Sequence, residues 1–374
     1  MSVLIKEVLN KQDLRHFVDF PQKLYKGNKC YVPALRIDEM QTLQNSPSLA
    51  YCKLKMWLAL DGKKVTGRIA GIINPRANAH FEQRRIRFGW FDFIDSVEVA
   101  SALLEKVRQW GQAEGLEQMH GPLGFNTWNR QGMLVYGFDN IPPINCLYNY
   151  PYYSGIMEQL GFEKEVDWVQ YEMNASQAVP EKVKRINKLI LEKYNLKIFD
   201  FKNKKKMMGE LSDKFFATYN ESFKSVHNFI PLTPDEIRSG ASLYMRLIRK
   251  ELTCFVLDTK GDIVAFAVCF PSLSKGFQRA GGRLFPFGWF HIIKAYLWYD
   301  SIDLMLNGAH PDWQKKGLSS IYHAYLNEGF IKRKIKFGIS NPQIDTNVAA
   351  QVWSEYDNRE FMRRRCYIKE TAKG

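Results

Sequence analysis

One order of elements is written twice along this chain, and that restricts its fold more than any single motif does. The run VLIKEV (Val3 to Val8) has the apolar pattern of a strand and leads into a helical stretch, KQDLRHFVDFPQKLYKG. About two hundred residues downstream, LKIFDF (Leu196 to Phe201) leads into KMMGELSDKFFATYNESF. Each half then offers a hairpin: MWLALDGKKVTGRIAGII turns at Asp61-Gly62, and TCFVLDTKGDIVAFAVCF turns at Lys260-Gly261-Asp262. Both place turn-forming residues between runs of period-two hydrophobicity. A further strand follows, WFDFI (Trp90 to Ile94) or IDLML (Ile302 to Leu306), and then a helix, VEVASALLEKVRQWGQAEG or LSSIYHAYLNEGFIKRK. Each half closes on strand, helix, strand, with final helices YYSGIMEQLGF and NVAAQVWSEYDNREF. The order β–α–β–β–β–α–β–α–β predicts an α/β (α+β) protein of two similar domains. The other reading is one large mixed domain. The polar segment from Asn174 to Arg185, which carries Pro180, marks the junction and divides the chain into 1–175 and 176–374.

Length agrees with two units, since 374 residues exceed the roughly 250–300 at which single cores stop growing. The net charge of +14 favours anionic partners such as nucleic acid, phosphorylated cofactors or acidic lipid. Its densest runs, Lys202 to Lys206 and Arg363 to Arg365, read as solvated faces. The six cysteines include no CxxC pair, which excludes a zinc-ribbon pattern and reads as reduced thiols of a cytoplasmic protein. No signal peptide is evident in Met1 to Lys6, and no apolar run approaches the ~18–20 residues of a membrane span. The histidines show no HExxH spacing, so no metal is expected, and no GxSxG elbow appears.

The segment from Gly308 to Phe330, GAHPDWQKKGLSSIYHAYLNEGF, loads the join between a strand and a helix with Gln314, Lys315, Lys316 and Gly317. The first helical turn leaves about four N–H groups unpaired, and the macrodipole adds positive potential there. Such an end binds phosphate or pyrophosphate. Gly317 lets backbone approach an anion, the lysines add charge, and Ser319 and Ser320 keep the entrance small. With no GxGxxG and no GxxxxGK[ST], dinucleotide and P-loop readings lack their fingerprints.

AHPDWQKKGLS resembles the acyl-CoA loop of the GNAT superfamily of N-acyltransferases, with Gln314, Gly317 and small Ser319 on its Gln/Arg-x-x-Gly-x-Gly/Ala pattern. NVAAQVW resembles that family's next helix, which opens Asn-x-x-Ala, here Asn347 and Ala350. The resemblance implies two tandem GNAT-like domains, each with a mixed, mostly antiparallel sheet flanked by helices. It further implies acetyl-CoA or another acyl-CoA as cofactor, held by Ala309, His310, Gln314, Lys315, Lys316, Gly317, Leu318, Ser319 and Asn347. The family's catalytic tyrosine position falls on Trp353 or Ser354, with Tyr356 nearby but out of register. Asp303 and Asn307 are the polar residues of the central strand available for proton removal, and Asp303 reads equally as a strand-end surface residue.

In the first half, the equivalent join, Asp95-Ser96-Val97-Glu98, reads as an N-cap with an acidic first turn that would repel pyrophosphate. The first domain is therefore expected to be a degenerate copy without coenzyme A. Its segment from Gly121 to Ile156, rich in rings and side-chain amides, reads as inter-domain packing or as one wall of a substrate cleft. The ring-rich stretch from Gly281 to Asp300 could line a pocket or lie on a membrane surface, but core or domain interface is the favoured reading.

The expectation is an acyl-CoA-dependent N-acyltransferase moving an acyl group, in the simplest case acetyl, to a small-molecule or peptide amine, as a monomer or homodimer. The alternatives are a non-catalytic protein that binds coenzyme A or a partner, and a Fem-like transferase using aminoacyl-tRNA. Only the last involves nucleic acid.

Overall fold

A computed structural model describes residues 3–175, 179–201, 204–224, 226–346 and 358–371. The first half opens with β1 (Leu4–Glu7), α1 (Lys11–Leu24), α2 (Arg36–Asn45), β2 (Lys53–Asp61), β3 (Lys64–Ile73) and α3 (Pro75–His80). It continues with β4 (Arg85–Phe93), α4 (Val97–Ala113), β5 (Gln118–Gly121), β6 (Met133–Tyr136), α5 (Tyr152–Gln159) and β7 (Glu163–Asn174). The second runs α6 (Glu181–Lys193), β8 (Lys197–Ile198), α7 (Lys204–Ser222), α8 (Pro234–Leu247), β9 (Thr253–Leu257), β10 (Ile263–Pro271), α9 (Ser274–Ala280) and α10 (Gly288–Leu297). It ends with β11 (Ser301–Ala309), α11 (Leu318–Arg333), β12 (Phe337–Ser340), β13 (Gln343–Ile344) and β14 (Asn358–Glu370).

Local chemistry explains several boundaries. The Asn10 side chain accepts from the Asp13 N–H at the start of α1, and Ser96 accepts from Val99 N–H at the start of α4, as its sequence implied. Thr233 and Glu236 form a reciprocal capping box on α8, with Pro234 at the first helical position. α6 starts inside the segment that reads as a junction. The residues Asn358 to Phe361, which extend a helical pattern in sequence, begin β14 instead.

The strands form one mixed, mostly antiparallel sheet in the order β1-β2-β3-β4-β5-β14-β7-β12-β11-β10-β9-β8. The two halves exchange their last strands. β14, from the end of the chain, lies against β5 of the first half, and β7, from the end of the first half, lies against β12 of the second. The exchanged strands pair with each other from Asn358↔Met173 to Ile368↔Glu163.

Polar side chains lock this crossover. Arg364 on β14 is fully buried, so the run Arg363 to Arg365 is not a solvated face: strand alternation turns its middle member inward. Its Nε donates to Gln170 Oε1 at 3.2 Å and a terminal nitrogen donates to the Leu147 carbonyl. Gln170 in turn donates to the Ser340 carbonyl at 3.0 Å, joining β7 to β12. A second polar tie joins the halves at Glu236, which accepts from Ser48 Oγ at 2.5 Å, Tyr51 OH at 2.6 Å and Asn126 Nδ2 at 2.8 Å.

Apolar layers pack on both halves of the sheet. In the first half Ile86, Phe88, Val99, Leu103 and Trp110 join β4 to α4. In the second, Leu318, Ile321, Tyr322 and Leu326 of α11 cover one face of β9–β11, while Phe215, Phe216 and Tyr219 of α7 cover the other.

Candidate active site

β11 pairs with β10 throughout, but the register steps from Val268↔Leu306 to Cys269↔Leu304 and leaves Met305 unmatched. A one-residue bulge bends its strand and increases the local twist. On its other side β11 pairs with β12 only from Ser301 to Leu304, where the Asn341 N–H closes the ladder on the Leu304 carbonyl at 2.9 Å. Beyond that point the strands part, and residues 305–309 line a cleft of about 510 Å³.

The cleft is walled by Phe215 and Tyr219 from α7, by Phe223 just beyond it, and by Tyr322, His323 and Leu326 from α11. The first half supplies Thr127, Trp128, Asn145 and Cys146. Trp128 donates its indole N–H to Tyr219 OH at 2.8 Å and packs 5.6 Å from the Phe216 ring. The Gly121 to Ile156 segment therefore both lines the cleft and packs the halves together.

At the mouth, Ala309 and Gln314 line the cleft where the strand passes into the loop. His310 N–H donates to the Val264 carbonyl at 2.9 Å, and a short turn, Pro311–Trp313, follows. The Gln314 side-chain amide reaches back to the Ala309 carbonyl at 3.4 Å. Lys315 (φ 62°) and Gly317 (φ 79°) are both left-handed, a conformation that turns successive N–H groups toward one concave side. α11 then starts at Leu318 with no side-chain cap, and the Ser320 N–H turns back to the Gly317 carbonyl at 3.2 Å. Lys316 holds its ammonium 4.4 Å above the Trp313 ring, at the same corner. Leu318 anchors the helix in the core, while Ser319 is exposed.

α6 clamps this entrance. Ser320 Oγ lies 2.6 Å from Asn187 Oδ1, and a Cβ built on Gly317 would sit 2.8 Å from Ile190 Cδ1. Gly317 is thus held by both its backbone conformation and a neighbour, so a bulky residue there would disturb the packing as well as any bound anion.

Asn307 is exposed on the cleft side of β11. Asp303 is buried rather than at the surface, with Oδ1 lacking a hydrogen-bond partner. Burial pushes its carboxyl up to about 7, against a Ser272 hydrogen bond that lowers it. Tyr356 and Asn347, with Trp353 and Ser354, lie outside the described residues.

Sequence spacing offered no signal for one further group. His227, in the loop after α7, lines the cleft with Nε2 3.4 Å from Glu165 Oε1 on β7. Glu165 also meets Arg85 Nη1 at 2.7 Å, His120 Nδ1 at 3.1 Å and Cys366 Sγ at 3.1 Å. Burial alone would raise this carboxyl, but bonds from His120, His227 and Cys366 hold it well below the usual carboxylate range. Burial drives His120 down to about 4, so its ring is neutral at neutral pH. His120, Glu165 and Cys366 offer three ligand atoms within 4.8 Å of one another. With Arg85 on Glu165 and burial raising the Cys366 thiol well above its usual value, the cluster is built as a hydrogen-bonded ion-pair network.

The first half lacks the same opening. A Cβ on Gly89 of β4 would lie 2.3 Å from the Leu123 carbonyl oxygen, and one on Gly121 would lie 2.2 Å from that of Phe88. Backbone therefore fills the space between β4 and the chain leaving β5.

Known structures share this architecture over its whole length. A tandem GNAT protein from the clavulanic acid biosynthesis pathway superposes with a TM-score of 0.57 at 9% identity, covering 100% of both chains. The chain has the GNAT fold. A GCN5-related N-acetyltransferase from Sphaerobacter thermophilus has the same GNAT arrangement (TM-score 0.53, 10% identity, 100% of this chain and 96% of that one). No family model matches the sequence. Among curated proteins, YghO of Escherichia coli K12 is 24% identical over 98% of this chain and 95% of its own. A bacterial ceramide synthase from Caulobacter vibrioides is 24% identical over 74% of this chain and 72% of its own. Among the described residues no helix is long and apolar enough to cross a membrane.

Proposed function

We propose that this protein transfers an acyl group from an acyl-CoA to an amine in the cleft between β11 and β12. The observation that carries the reading is continuity: a bulged, half-unpaired β11 leads from the cleft directly into a left-handed loop and an uncapped helix start. The residues at that corner fit a pyrophosphate. The amides of Lys316, Gly317, Leu318 and Ser319 would hold it, with the Lys316 charge beside them. Residues 305–309, unpaired on the side of β12, offer backbone donors to a carbonyl oxygen.

Acyl-CoA supplies an activated thioester. The chain's own groups orient the amine, exclude water through the rings of α7 and take up the proton released on attack. His227 lines the cleft and is the candidate to accept that proton, with its Nε2 3.4 Å from the ionised Glu165. Asp303, raised by burial to about 7, is the other candidate; it is not on the cleft wall itself but is a charge neighbour of the cleft-lining Cys269 and Cys146. The amide-bearing side chains Asn145, Asn307 and Asn341 offer partners to a polar acceptor.

The rings and aliphatic groups of α7 and α11 suit an acyl chain longer than acetyl. The likeness to a ceramide synthase supports the same choice, since a ceramide is the fatty amide of a long-chain amine. The first half, closed at Gly89 and Gly121, is proposed to bind no coenzyme A and to serve as one cleft wall. Domains 1–175 and 176–374 then divide the work, with the exchanged strands tying them together.

Calorimetric titration with acetyl-CoA and palmitoyl-CoA tests the reading, with Gln314→Ala/Lys316→Ala as the control. Binding weakened about tenfold or more in the control supports it, and thiol release on adding a long-chain amine establishes turnover. Failure of both acyl-CoAs to bind would refute the donor assignment.

A further inference from the structure

β10 and β11 are not joined by a tight turn. They are joined by a helical hairpin, α9 and α10, whose outer side is apolar and open. Of fourteen large hydrophobic side chains exposed among the described residues, seven lie between Phe285 and Trp298. Phe285 is 78% exposed, Phe287 71% and Trp298 70%. On α10 the exposed residues Trp289, Phe290, Ile293 and Leu297 recur at helical spacing, so they form one stripe continuous with the Phe285 to Phe287 tip. The core or interface reading of this stretch is therefore corrected for Phe285, Phe287, Trp289, Phe290 and Trp298, whose rings are exposed, while Tyr299 packs against the core.

The hairpin is rigidly mounted, so this exposure is built in. Gly276 of α9 lets α10 approach until a Cβ there would lie 2.9 Å from both Ala295 Cβ and the His291 carbonyl oxygen. The Gln278 amide donates to the Lys29 and Tyr31 carbonyls at 2.8 and 3.1 Å, and Arg36 N–H donates to the Gly282 carbonyl at 2.9 Å. Arg249 stacks 4.2 Å from the Tyr296 ring at the base.

Charge selects the partner. From Ile263 to Tyr299 the chain contains no Asp or Glu, while Lys275, Arg279, Arg283 and Lys294 are all exposed around the apolar stripe. An apolar protein partner would gain nothing from a rim of one sign, but an anionic bilayer surface would. Phe and Trp side chains flanked by Lys and Arg suit the boundary between headgroups and acyl chains. α10, at ten residues, can lie in that boundary but is too short to span it.

We propose that the α9–α10 hairpin docks the protein on the surface of anionic phospholipid bilayers, inserting Phe285, Phe287 and Trp298 between headgroups while the basic rim holds phosphate. The proposal stands apart from acyl transfer, and neither depends on the other.

Flotation with vesicles of phosphatidylcholine mixed with phosphatidylglycerol, against phosphatidylcholine alone, tests it. The full chain is expected to float with the mixed vesicles and far less with the neutral ones. Phe285→Ser/Phe287→Ser/Trp298→Ser should lose about tenfold or more of that binding with thermal unfolding unchanged, because the rings touch solvent. Fluorescence quenching by brominated lipid should exceed that of Trp298→Phe, which reads insertion without altering the fold. A wild-type chain that stays unbound, a triple variant that floats equally, or a wild-type dimer that the triple variant converts to monomer would each overturn the proposal.

Discussion

Replacing Asp303 by asparagine should stabilise this protein at alkaline pH and leave it nearly unchanged in acid. The side chain is 3% exposed, and Oδ1 has no partner. Burial raises its pKa from 3.8 to about 7. Below the lower value both folded and unfolded chains carry the proton, and ionisation costs nothing. As pH rises, the unfolded chain releases the proton first, so stability falls until pH passes the folded value. A rise of about three pH units at about 1.4 kcal/mol each amounts to about 4 kcal/mol, fully expressed by about pH 8. Asparagine fills the same space without that charge. Urea unfolding followed by tryptophan fluorescence at several pH values reads the difference. The gap between Asp303→Asn and wild type should widen from pH 4 to pH 8 by a few kcal/mol. A gap independent of pH would refute the claim that this carboxyl is protonated when buried. The same variant separates the two proposed proton acceptors. If His227 serves, turnover survives in Asp303→Asn and is lost in His227→Asn. If Asp303 serves, an inflection near pH 7 disappears with it.

Arg364→Ala removes a buried guanidinium bonded to Gln170 and Leu147 across the exchanged strands, and should cost about 3–5 kcal/mol in chemical denaturation. Glu236→Ala strips the shared acceptor from Ser48, Tyr51 and Asn126 and should cost about 3 kcal/mol at neutral pH. Burial would raise the Glu236 pKa, but those bonds bring it below 4.5, so the loss should shrink as pH falls through that range in an acid titration of stability. Gly317→Ala, strained at φ 79° and set against Ile190, should lower stability by about 1–2 kcal/mol, measurable by thermal unfolding.

Much of the architecture was legible because it rests on local periodicity. Short apolar runs such as MWLAL and IVAFAVCF bounded by turn residues read as buried strands, Ser96 caps α4, and Gly317 opens α11 in a left-handed turn. The loop was readable for the same reason, since its function is a matter of backbone direction and local charge. His227 was not, because a ring gains its role from Glu165 on a distant strand, and no spacing announces such a meeting. The Arg363 to Arg365 run misled because net charge describes composition, whereas a strand sends alternate side chains to opposite faces.

The sequence pointed to the order of the described strands and helices and to the loop at the start of α11, and its resemblance to the GNAT superfamily pointed to the mixed, mostly antiparallel sheet. Only tertiary structure decided which strand follows β5 and which follows β12. Both strands that could fill those places are long, at 12 and 13 residues, and each mixes apolar with charged positions, so no local pattern prefers self-pairing over exchange. Long-range packing broke that tie, through Arg364, Gln170 and Ser340. Burial likewise distinguished Asp303 from a surface carboxylate and the rings of α10 from a core. Composition records how apolar a segment is, but which face water touches depends on what the rest of the chain leaves uncovered.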